Sequence, residues 1–353
     1  MNKIKVAFVS ATTRKGGAER MLFNIMNTLD DRHEIQLYIT SKDVVPSFVA
    51  NKFRVVRFGK KHAKAALWQL LLNLKKSHPQ YVFTTSSNIG YLLIMIRWML
   101  QANFKVFIRC AVPPVEVYHH SLKTRFLSCI NRWLYKGCDL MIAQTEFMRQ
   151  DLMRAYHMRP DQVRVIRNII DKAYIDRSIA SEEIICLPNG FNFVASGMLY
   201  SVKGFDLLIE AIAPIVKRHR NVFLSILGEE RYETGYRDFL QSKIDALGMA
   251  EHVRLVGYKE NPYPYYKAAN VFVMSSRKEG FPNVVLEALY LKTPVIATDC
   301  VDFTGVIQDG VNGFIVPKDN VAALSDALQK ALSYQFRMDV NQVSNFDYNT
   351  LFA

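Results

Sequence analysis

Short apolar strands alternate with helical stretches along nearly the whole chain, in two successive series. The first series contains the strand-like runs KVAFVS, EIQLYIT, RVVRF, YVFTTS, KVFIRC and LMIAQ. The second contains FNFVASG, FLSILG, VRLVGY, VFVMSS, PVIATD and GFIVP. This alternation is typical of parallel sheets that are covered by helices on both faces. The sequence therefore predicts an α/β protein with two doubly wound, Rossmann-like domains.

A polar linker within VIRNIIDKAYIDRSIASEEIICLPNGF separates the two series, and 353 residues are enough for two ordinary domains. We predict an N-terminal domain over residues 1–172 and a C-terminal domain over residues 173–335. In doubly wound folds the ligand lies at the carboxyl ends of the strands. The loops that follow the strands are therefore the expected location of functional residues.

Positive charge is concentrated in the first half of the chain. The net charge is +13, yet residues 1–172 carry 28 lysines and arginines against 11 acidic residues, and residues 51–100 carry no acidic residue. Such a division suggests that the basic half faces an anionic partner. A membrane surface, a lipid diphosphate and a nucleic acid all satisfy this description, and a solvated basic face without a ligand is the alternative.

Composition excludes several other classes. The five cysteines are scattered and form no C-x-x-C pair, which indicates reduced thiols rather than a disulfide framework or a zinc site. The start, MNKIKVAFVS, lacks the apolar core of a secretory signal, and the run YLLIMI is far shorter than the ~20 residues of a membrane span. We expect a cytoplasmic protein.

Three loops after strands combine glycines with charged residues. Gly16 and Gly17 precede a helix that begins near Ala18, and Lys203 and Gly204 open another helix. Glycines at such positions let backbone N–H groups approach a phosphate at the positive end of a helix.

The third loop lies in SSRKEGFPNVVLEAL, where a helix is predicted to start near Pro282 or Asn283. Glu279 then lies in the loop and Glu287 about one turn inside the helix. Two carboxylates beside a phosphate site cannot both bind phosphate. We expect them to accept hydrogen bonds from hydroxyls on both sides of a diphosphate, as a nucleotide sugar provides.

Four motifs occur in order along the chain: GGAER, SG-x-L-x-x-x-KGFDLLIEA, SSRKEGFPNVVLEAL-x-x-x-TPVIATD and DGVNGFIVP. Together they resemble the GT-B glycosyltransferases of family four, retaining sugar transferases of bacterial envelope and exopolysaccharide assembly, including lipopolysaccharide and capsule. The resemblance implies two Rossmann-like domains that face an interdomain cleft. It also implies that residues 336–353 form a crossover segment that returns to the N-terminal domain.

The resemblance implies roles for individual residues. Glu279 would contact the donor sugar, Glu287 would accept from the ribose hydroxyls, and Lys203 would pair with the diphosphate. Glu279 and Lys203 are accordingly the expected catalytic residues. The other expected donor-binding residues are Gly16, Gly17, Gly197, Gly204, Tyr258, Lys259, Gly280, Phe281, Asn283 and Val284.

Three positions depart from the family pattern. Met198 stands where an arginine usually follows the glycine of the diphosphate loop, and Gly305 stands where many members carry glutamate. Arg109 or Cys110 replaces a histidine of the first domain, and His119 and His120 are not expected to be catalytic. We expect Arg109 or Arg14 to supply the missing charge on the acceptor side.

No metal is expected, because the sequence has no Asp-x-Asp pair and no cluster with ligand spacing. Leaving-group charge would then be met by Lys203, by glycine-loop amides and by a helix N-terminus. The resemblance implies a same-side displacement, and the donor is expected to be a UDP-linked hexose or N-acetylhexosamine.

Two basic amphipathic stretches in the first domain suggest contact with an anionic membrane. Lys60 to Lys76 carries an apolar stripe, with Trp68 and Leu72 outside it, and SLKTRFLSCINRWLYK has a similar character. We therefore expect a saccharide or lipid-linked acceptor and a peripheral position on the inner face of the cell membrane. A nucleotide-sugar epimerase, a sugar-phosphate synthase, a nucleic-acid-directed transferase and a non-catalytic homologue remain alternatives.

Overall fold

A computed structural model describes residues 3–13, 17–43, 47–110, 134–180, 185, 187–230, 233–338 and 346–353. The described residues divide into two compact units. Unit 1 contains the residues up to Ile169 together with residues 346–353, and unit 2 contains those from Ile170 to Met338. The predicted boundary at residue 172 lies close to this division. Residues 346–353 follow unit 2 in sequence but belong to unit 1, as the expected return of the chain requires.

Unit 1 has a parallel sheet of seven strands in the order β3-β2-β1-β4-β5-β6-β7. Its strands are β1 (Ile4–Ser10), β2 (His33–Ile39), β3 (Arg54–Arg57), β4 (Tyr81–Thr84), β5 (Lys105–Arg109), β6 (Leu140–Ala143) and β7 (Val163–Val165). Its helices are α1 (Gly17–Thr28), α2 (Ser47–Ala50), α3 (Leu67–Ser77), α4 (Ser87–Leu100) and α5 (Glu146–Tyr156). The strand order reverses between β1 and β4, which defines a doubly wound sheet.

Unit 2 repeats this architecture with six parallel strands in the order β10-β9-β8-β11-β12-β13. Its strands are β8 (Phe191–Ser196), β9 (Val222–Leu227), β10 (Val253–Gly257), β11 (Val271–Met274), β12 (Val295–Thr298) and β13 (Gly313–Val316). Its helices are α6 (Lys172–Ala180), α7 (Phe205–Arg218), α8 (Tyr236–Ala246), α9 (Tyr263–Ala268), α10 (Asn283–Tyr290) and α11 (Val321–Ala331). The order reverses between β8 and β11.

Both sheets are buried on both faces, which explains why their strands are continuous apolar runs. In β1, Val6 and Phe8 belong to one buried cluster, whereas Ala7 and Val9 belong to another. The side chains of a strand alternate between the two faces of its sheet, so these clusters lie on opposite faces. The predicted two-domain α/β fold is thereby confirmed, and the short β7 lies directly before the polar linker.

The predicted amphipathic segment from Lys60 begins as a 3-10 turn at Ala63–Ala66 and continues as α3. Its stripe residues Leu70, Leu71 and Leu74 are buried, and Trp68 and Leu72 are 66% and 62% exposed. The second basic stretch lies mostly within residues 111–133, outside the described residues. Within the described part of the chain, every helix is too short or too polar to cross a membrane.

The C-terminal segment packs into the core of unit 1. Tyr348–Leu351 form a 3-10 turn, and Phe352 is fully buried among aromatic rings. Its ring lies 5.6 Å from that of Tyr81 and 5.8 Å from that of Phe107. The hydroxyl of Tyr81 donates to the carbonyl of Ala353 at 2.9 Å. The segment is thus an integral part of the hydrophobic core of unit 1.

Candidate functional site

The strongest candidate site lies at the carboxyl ends of the strands of unit 2, near the reversal between β8 and β11. The loop after β8 runs from Gly197 to a 3-10 turn at Ser201–Lys203, and α7 follows. Gly204 lies between that turn and α7. Its φ of +63° is in the left-handed region, which glycine adopts more readily than any other residue. A Cβ at this position would lie 2.1 Å from the carbonyl oxygen of Ser275.

The loop after β8 is tied closely to the loop after β11. The hydroxyl of Ser275 donates to the carbonyl of Lys203 at 3.0 Å. The backbone N–H of Arg277 donates to the carbonyl of Val202 at 2.8 Å. The two loops therefore form one surface, and the residues that they carry keep fixed relative positions.

Lys203 and Glu279 form an ion pair across this surface. The ammonium lies 2.5 Å from a carboxylate oxygen, and the hydroxyl of Ser276 donates to the same oxygen at 2.8 Å. Burial lowers the pKa of Lys203, but the charge and the hydrogen bond of Glu279 outweigh burial and raise it above its ordinary value. Lys203 therefore carries a positive charge at neutral pH.

Two glycines hold the backbone close around the aliphatic part of Lys203. A Cβ on Gly197 would lie 3.3 Å from Cε of Lys203, so the lysine side chain passes directly over this residue. A Cβ on Gly228, which follows β9, would lie 1.8 Å from the carbonyl oxygen of Gly197. The predicted Gly197 thus has a packing role, since a side chain at this position would require the lysine side chain to shift by a few tenths of an ångström.

Glu287 lies on α10, which begins at Asn283 with Pro282 as its N-cap residue, as the sequence predicted. Its side chain is 2% exposed. Phe281 is also buried, whereas Gly280, Asn283 and Val284 are half-buried. Glu279 therefore lies in the loop before the helix and Glu287 in its second turn, and their predicted separation is confirmed.

The predicted base-binding candidates follow β10. Tyr258 is 41% exposed, and the ammonium of Lys259 lies 5.8 Å from the centre of the Tyr265 ring. Gly257 before them has φ +83°. These residues lie at the same edge of the sheet as Lys203, since all strands of the sheet are parallel, and their role in binding remains a prediction.

The structure gives a physical basis for one of the departures from the family pattern. Gly305 adopts φ +72°, a conformation that a glutamate would adopt only with strain. A glutamate at this position would therefore strain the loop after β12 in its present conformation. Met198 is half-buried in the loop after β8.

The predicted residues of the first domain are only partly described. Gly17 is the first residue of α1 and is exposed, whereas Arg14, Gly16, His119 and His120 lie outside the described residues. Their predicted contributions therefore stay predictions.

Arg109 is almost fully buried at the end of β5, with 2% exposure. Its guanidinium donates to the carbonyl of Ile166 at 3.1 Å and to the side chain of Asn168. Burial lowers the pKa of Arg109. These contacts link the end of β5 to the residues that follow β7. The expected role of Arg109 in supplying positive charge on the acceptor side is still a prediction.

Three residues that the sequence did not single out also belong to the site. Ser276 binds Glu279, and Arg277 forms a bidentate ion pair with Asp206, the second residue of α7. Both Ser276 and Arg277 lie inside the quoted glutamate motif, so the motif contained them. Their partners are 3 and 71 residues away, and the longer separation explains why the Arg277 contact was not foreseen.

Among the described residues, no group of three or more histidine, cysteine or acidic side chains could hold a metal ion. Cys110 and Cys138 are free and buried, and Cys300 is free and half-buried. Metal independence stays a prediction.

Comparisons with known proteins identify the family of the chain. Residues 15–174 match the model described as "Glycosyltransferase Family 4", and residues 187–349 match "Glycosyl transferases group 1". The chain is 26% identical over 333 residues to the N-acetylgalactosamine-N,N'-diacetylbacillosaminyl-diphospho-undecaprenol 4-alpha-N-acetylgalactosaminyltransferase of Campylobacter jejuni. That alignment covers 90% of this chain and 87% of the relative.

An uncharacterized glycosyltransferase of Methanocaldococcus jannaschii is also 26% identical, over 71% of this chain and 65% of the relative. Among solved structures, Anabaena HepE in complex with UDP-glucose has a TM-score of 0.78 at 17% identity, covering 99% of this chain and 98% of that chain. WaaG, a glycosyltransferase involved in lipopolysaccharide biosynthesis, has a TM-score of 0.67 at 19% identity and covers 93% and 90%. The two family models together span nearly the whole sequence, and the chain therefore belongs to the GT-B glycosyltransferases of family four.

Proposed function

We propose that this protein is a retaining glycosyltransferase that moves a hexose or N-acetylhexosamine from a UDP-linked donor to a lipid-linked or polysaccharide acceptor. The observation that carries this proposal is the placement of Lys203, Glu279 and Glu287 at one edge of the sheet of unit 2. A cation paired with one carboxylate, together with a second carboxylate on the helix that follows, suits a diphosphate flanked by hydroxyl-bearing sugars.

Each part of the donor has a candidate partner. The charged ammonium of Lys203 pairs with the diphosphate. The backbone N–H groups at the start of α10 form the positive end of a helix dipole and also attract the diphosphate. Glu279 accepts hydrogen bonds from the hydroxyls of the transferred sugar. Glu287 accepts from the ribose, and the loop of Tyr258 and Lys259 lies against the base.

The proposed reaction breaks the bond between the anomeric carbon and the diphosphate oxygen. The acceptor oxygen forms its new bond on the same face of the sugar, and its proton passes to the departing phosphate oxygen. Lys203 and the helix amides stabilise the charge that develops on the leaving group. The protein contributes mainly position and electrostatics, and no metal is required.

The relatives support this choice of substrates. The Campylobacter jejuni enzyme is named for a diphospho-undecaprenol substrate, and other relatives are named for capsular polysaccharide and lipopolysaccharide core biosynthesis. HepE has been solved in complex with UDP and with UDP-glucose. A UDP-sugar donor and an envelope acceptor are therefore the first compounds to test.

The acceptor proposal extends to an anionic membrane surface. Trp68 and Leu72 on α3 and Trp98 on α4 are exposed, and both helices pack into one buried cluster of unit 1. Lysines lie before and within the last turn of α3. Exposed aromatic residues beside lysines suit the interface of a bilayer that carries anionic lipid. Arg97 is excluded from this role because its guanidinium is bound by Asp139 and by the carbonyl of Gly137.

The decisive experiment is a screen of nucleotide sugars for thermal stabilisation of the protein, followed by transfer assays with the donor that binds. We expect a UDP-sugar to stabilise the protein and to give a product that keeps the anomeric configuration of the donor, which NMR of the product reads directly. An inverted product would overturn the retaining assignment. Undiminished activity with EDTA supports the proposed metal independence.

Membrane contact is tested by sedimentation with vesicles that contain anionic lipid, with neutral vesicles, DNA and RNA as comparisons. Binding should weaken as salt rises, because the Debye length falls from about 10 Å at 0.1 M to about 3 Å at 1 M. Replacing Trp68 by Ala and Leu72 by Ser should reduce vesicle binding, whereas Phe239→Ser, at an exposed phenylalanine of unit 2, should not. Tight nucleic-acid binding without vesicle binding would contradict the membrane proposal.

A further inference from the structure

Arg277 lies in the loop after β11, two residues before Glu279, and its guanidinium binds two carboxylates. Its Nη1 and Nη2 donate to the two oxygens of Asp206 at 2.8 Å and 2.6 Å. Its Nε donates to Asp319 at 2.9 Å. The hydroxyl of Tyr236 also donates to Asp206, at 3.0 Å. All three nitrogens of the guanidinium thus donate to groups of the protein itself.

Arg277 also binds the turn that carries Lys203. Its Nη1 donates to the carbonyl of Ser201, and its backbone N–H donates to the carbonyl of Val202 at 2.8 Å. Both carbonyls belong to the two residues immediately before Lys203. Arg277 therefore binds the turn through both its side chain and its backbone.

The partners of these hydrogen bonds distinguish two possible roles of Arg277, direct binding of the donor and positioning of another residue. A basic residue so close to Glu279 could be a direct ligand of the donor diphosphate. In the structure, however, each N–H group of the guanidinium that bonds does so to Asp206, Asp319 or Ser201. Lys203, by contrast, directs its ammonium to Glu279, the residue expected to contact the donor sugar.

We propose that Arg277 is a positioning residue that fixes the turn Ser201–Lys203, and through it the ammonium that meets the donor diphosphate. Asp206 holds the guanidinium in place from the first turn of α7, so the start of that helix, the turn and the glutamate loop move as one body. This inference rests on the proposed binding of a nucleotide diphosphate by Lys203.

The proposal predicts that lysine cannot replace arginine at this position. A lysine ammonium is a point charge and can neutralise Asp206, but it cannot hold Asp206, Asp319 and the Ser201 carbonyl in one plane. Arg277→Lys therefore keeps the positive charge of the site and loses the hydrogen bond from the side chain to the turn at Ser201. We expect about a 10-fold increase in the KM for the donor and a smaller change in kcat, since a loss of one hydrogen bond to a charged group is of that order.

A double-mutant cycle separates positioning from general stability. Arg277→Lys and Lys203→Met are made singly and together, and UDP affinity is measured by calorimetry. If Arg277 acts through Lys203, its substitution should change the UDP Kd by less than about 2-fold once Lys203 is methionine. An equal loss in both backgrounds would overturn the proposal. Asp326→Asn, at an exposed aspartate of α11, removes a charge from the same unit and keeps all the partners of Arg277, so this variant should bind UDP like the unchanged protein.

A second measurement needs no donor. The rate at which an amine-specific reagent labels Lys203 is followed by mass spectrometry, with the exposed Lys217 as the internal reference. We expect selectively faster labelling of Lys203 in Arg277→Lys. An unchanged rate, or an equal increase at lysines throughout unit 2, would overturn the assignment whether or not UDP binds. Failure of the unchanged protein to bind any nucleotide would instead count against the proposed function.

Discussion

The ammonium of Lys203 lies 2.5 Å from the carboxylate of Glu279, and the two side chains are only 16% and 14% exposed. The family resemblance implies that these residues meet different parts of a donor, the diphosphate for Lys203 and the sugar for Glu279. In the structure their charges neutralise each other. A diphosphate that binds Lys203, as proposed, therefore competes with Glu279 for the same cation.

This competition predicts opposite effects of two substitutions. Lys203→Met should weaken UDP binding by about 1–3 kcal/mol, the range for hydrogen bonds to charged groups. Glu279→Gln should leave UDP binding unchanged or strengthen it, because it releases the ammonium, while transfer falls. Calorimetry with UDP and a transfer assay measure the two effects. Weaker UDP binding in Glu279→Gln would show that the carboxylate has a different role.

Glu287, which is expected to bind the ribose, provides the comparison with Glu279, which is expected to bind the transferred sugar. Glu287→Gln should weaken binding of free UDP by roughly 1–3 kcal/mol if its carboxylate holds the ribose. Because the residue is 2% exposed, the isosteric glutamine is preferred to alanine, and melting curves check the fold. Equal losses of UDP affinity in the Glu279 and Glu287 variants would contradict the division of roles.

Gly204 should tolerate no side chain. Gly204→Ala combines a left-handed backbone with a contact of 2.1 Å to the carbonyl oxygen of Ser275. Gly235→Ala is the control, because Gly235 has φ +85° but no atom within 4 Å of its Cβ position. The control should cost about 1–2 kcal/mol for the backbone alone. Urea denaturation should show a larger loss for Gly204→Ala, and equal losses would mean that the loop can move away from Ser275.

Phe352 should contribute strongly to the stability of unit 1. Its ring is fully buried, so Phe352→Ala should reduce the free energy of unfolding of unit 1 by about 3–5 kcal/mol. Phe147→Ala, at a ring that is 67% exposed in the same unit, should change it by less than about 0.5 kcal/mol. Chemical denaturation of both variants measures this difference. A Phe352 variant as stable as the Phe147 variant would show that the C-terminal segment does not stabilise unit 1.

The ion pair of Asp206 predicts a pH dependence of stability. Burial raises the pKa of Asp206, but its hydrogen bonds with Arg277 and Tyr236 lower it further than burial raises it. The unfolded chain then binds a proton at higher pH than the folded chain, so the contribution is complete above about pH 3.9 and is lost as pH falls through the folded pKa.

Asp206→Asn should therefore be less stable than the unchanged protein at neutral pH, and this difference should shrink in acid. Thermal melting from about pH 2 to about pH 7 measures it. Asp326→Asn, at an exposed aspartate of α11, controls for the removal of a charge. A difference that is constant over the whole range would mean that the carboxylate of Asp206 is not what stabilises the fold.

The sequence predicted most of the fold because strands that are buried on both faces must be continuous apolar runs. The strand β7 is the least distinct in the sequence, because only three residues, VRV, form it beside a polar linker. The helix start at Asn283 was readable from Pro282, since proline favours the first positions of a helix. The site was predicted one loop at a time, whereas its geometry depends on contacts between loops.

The pairing of Arg277 with Asp206 and of Lys203 with Glu279 spans more than 70 residues in each case. A charged residue in a motif looks the same in sequence whether it binds a ligand or a neighbouring loop. Lys203 and Glu279 were expected from their position after strands, but their contact with each other was not. The hydrogen bond from Ser276 to Glu279 was equally hidden, although only three residues separate the two.

The return of residues 346–353 to unit 1 has a consequence for synthesis on the ribosome. The aromatic cluster of Phe8, Tyr81 and Phe107 emerges early, but Phe352 is made only after the whole of unit 2. At about 5–20 residues per second, the nascent N-terminal half waits on the order of ten seconds or more with that cluster unfilled. Unit 2 begins later, but its last described residue, Met338, precedes the returning segment, so unit 2 can finish folding before unit 1 is complete. A chaperone that binds exposed aromatic surface would find its longest opportunity in that interval.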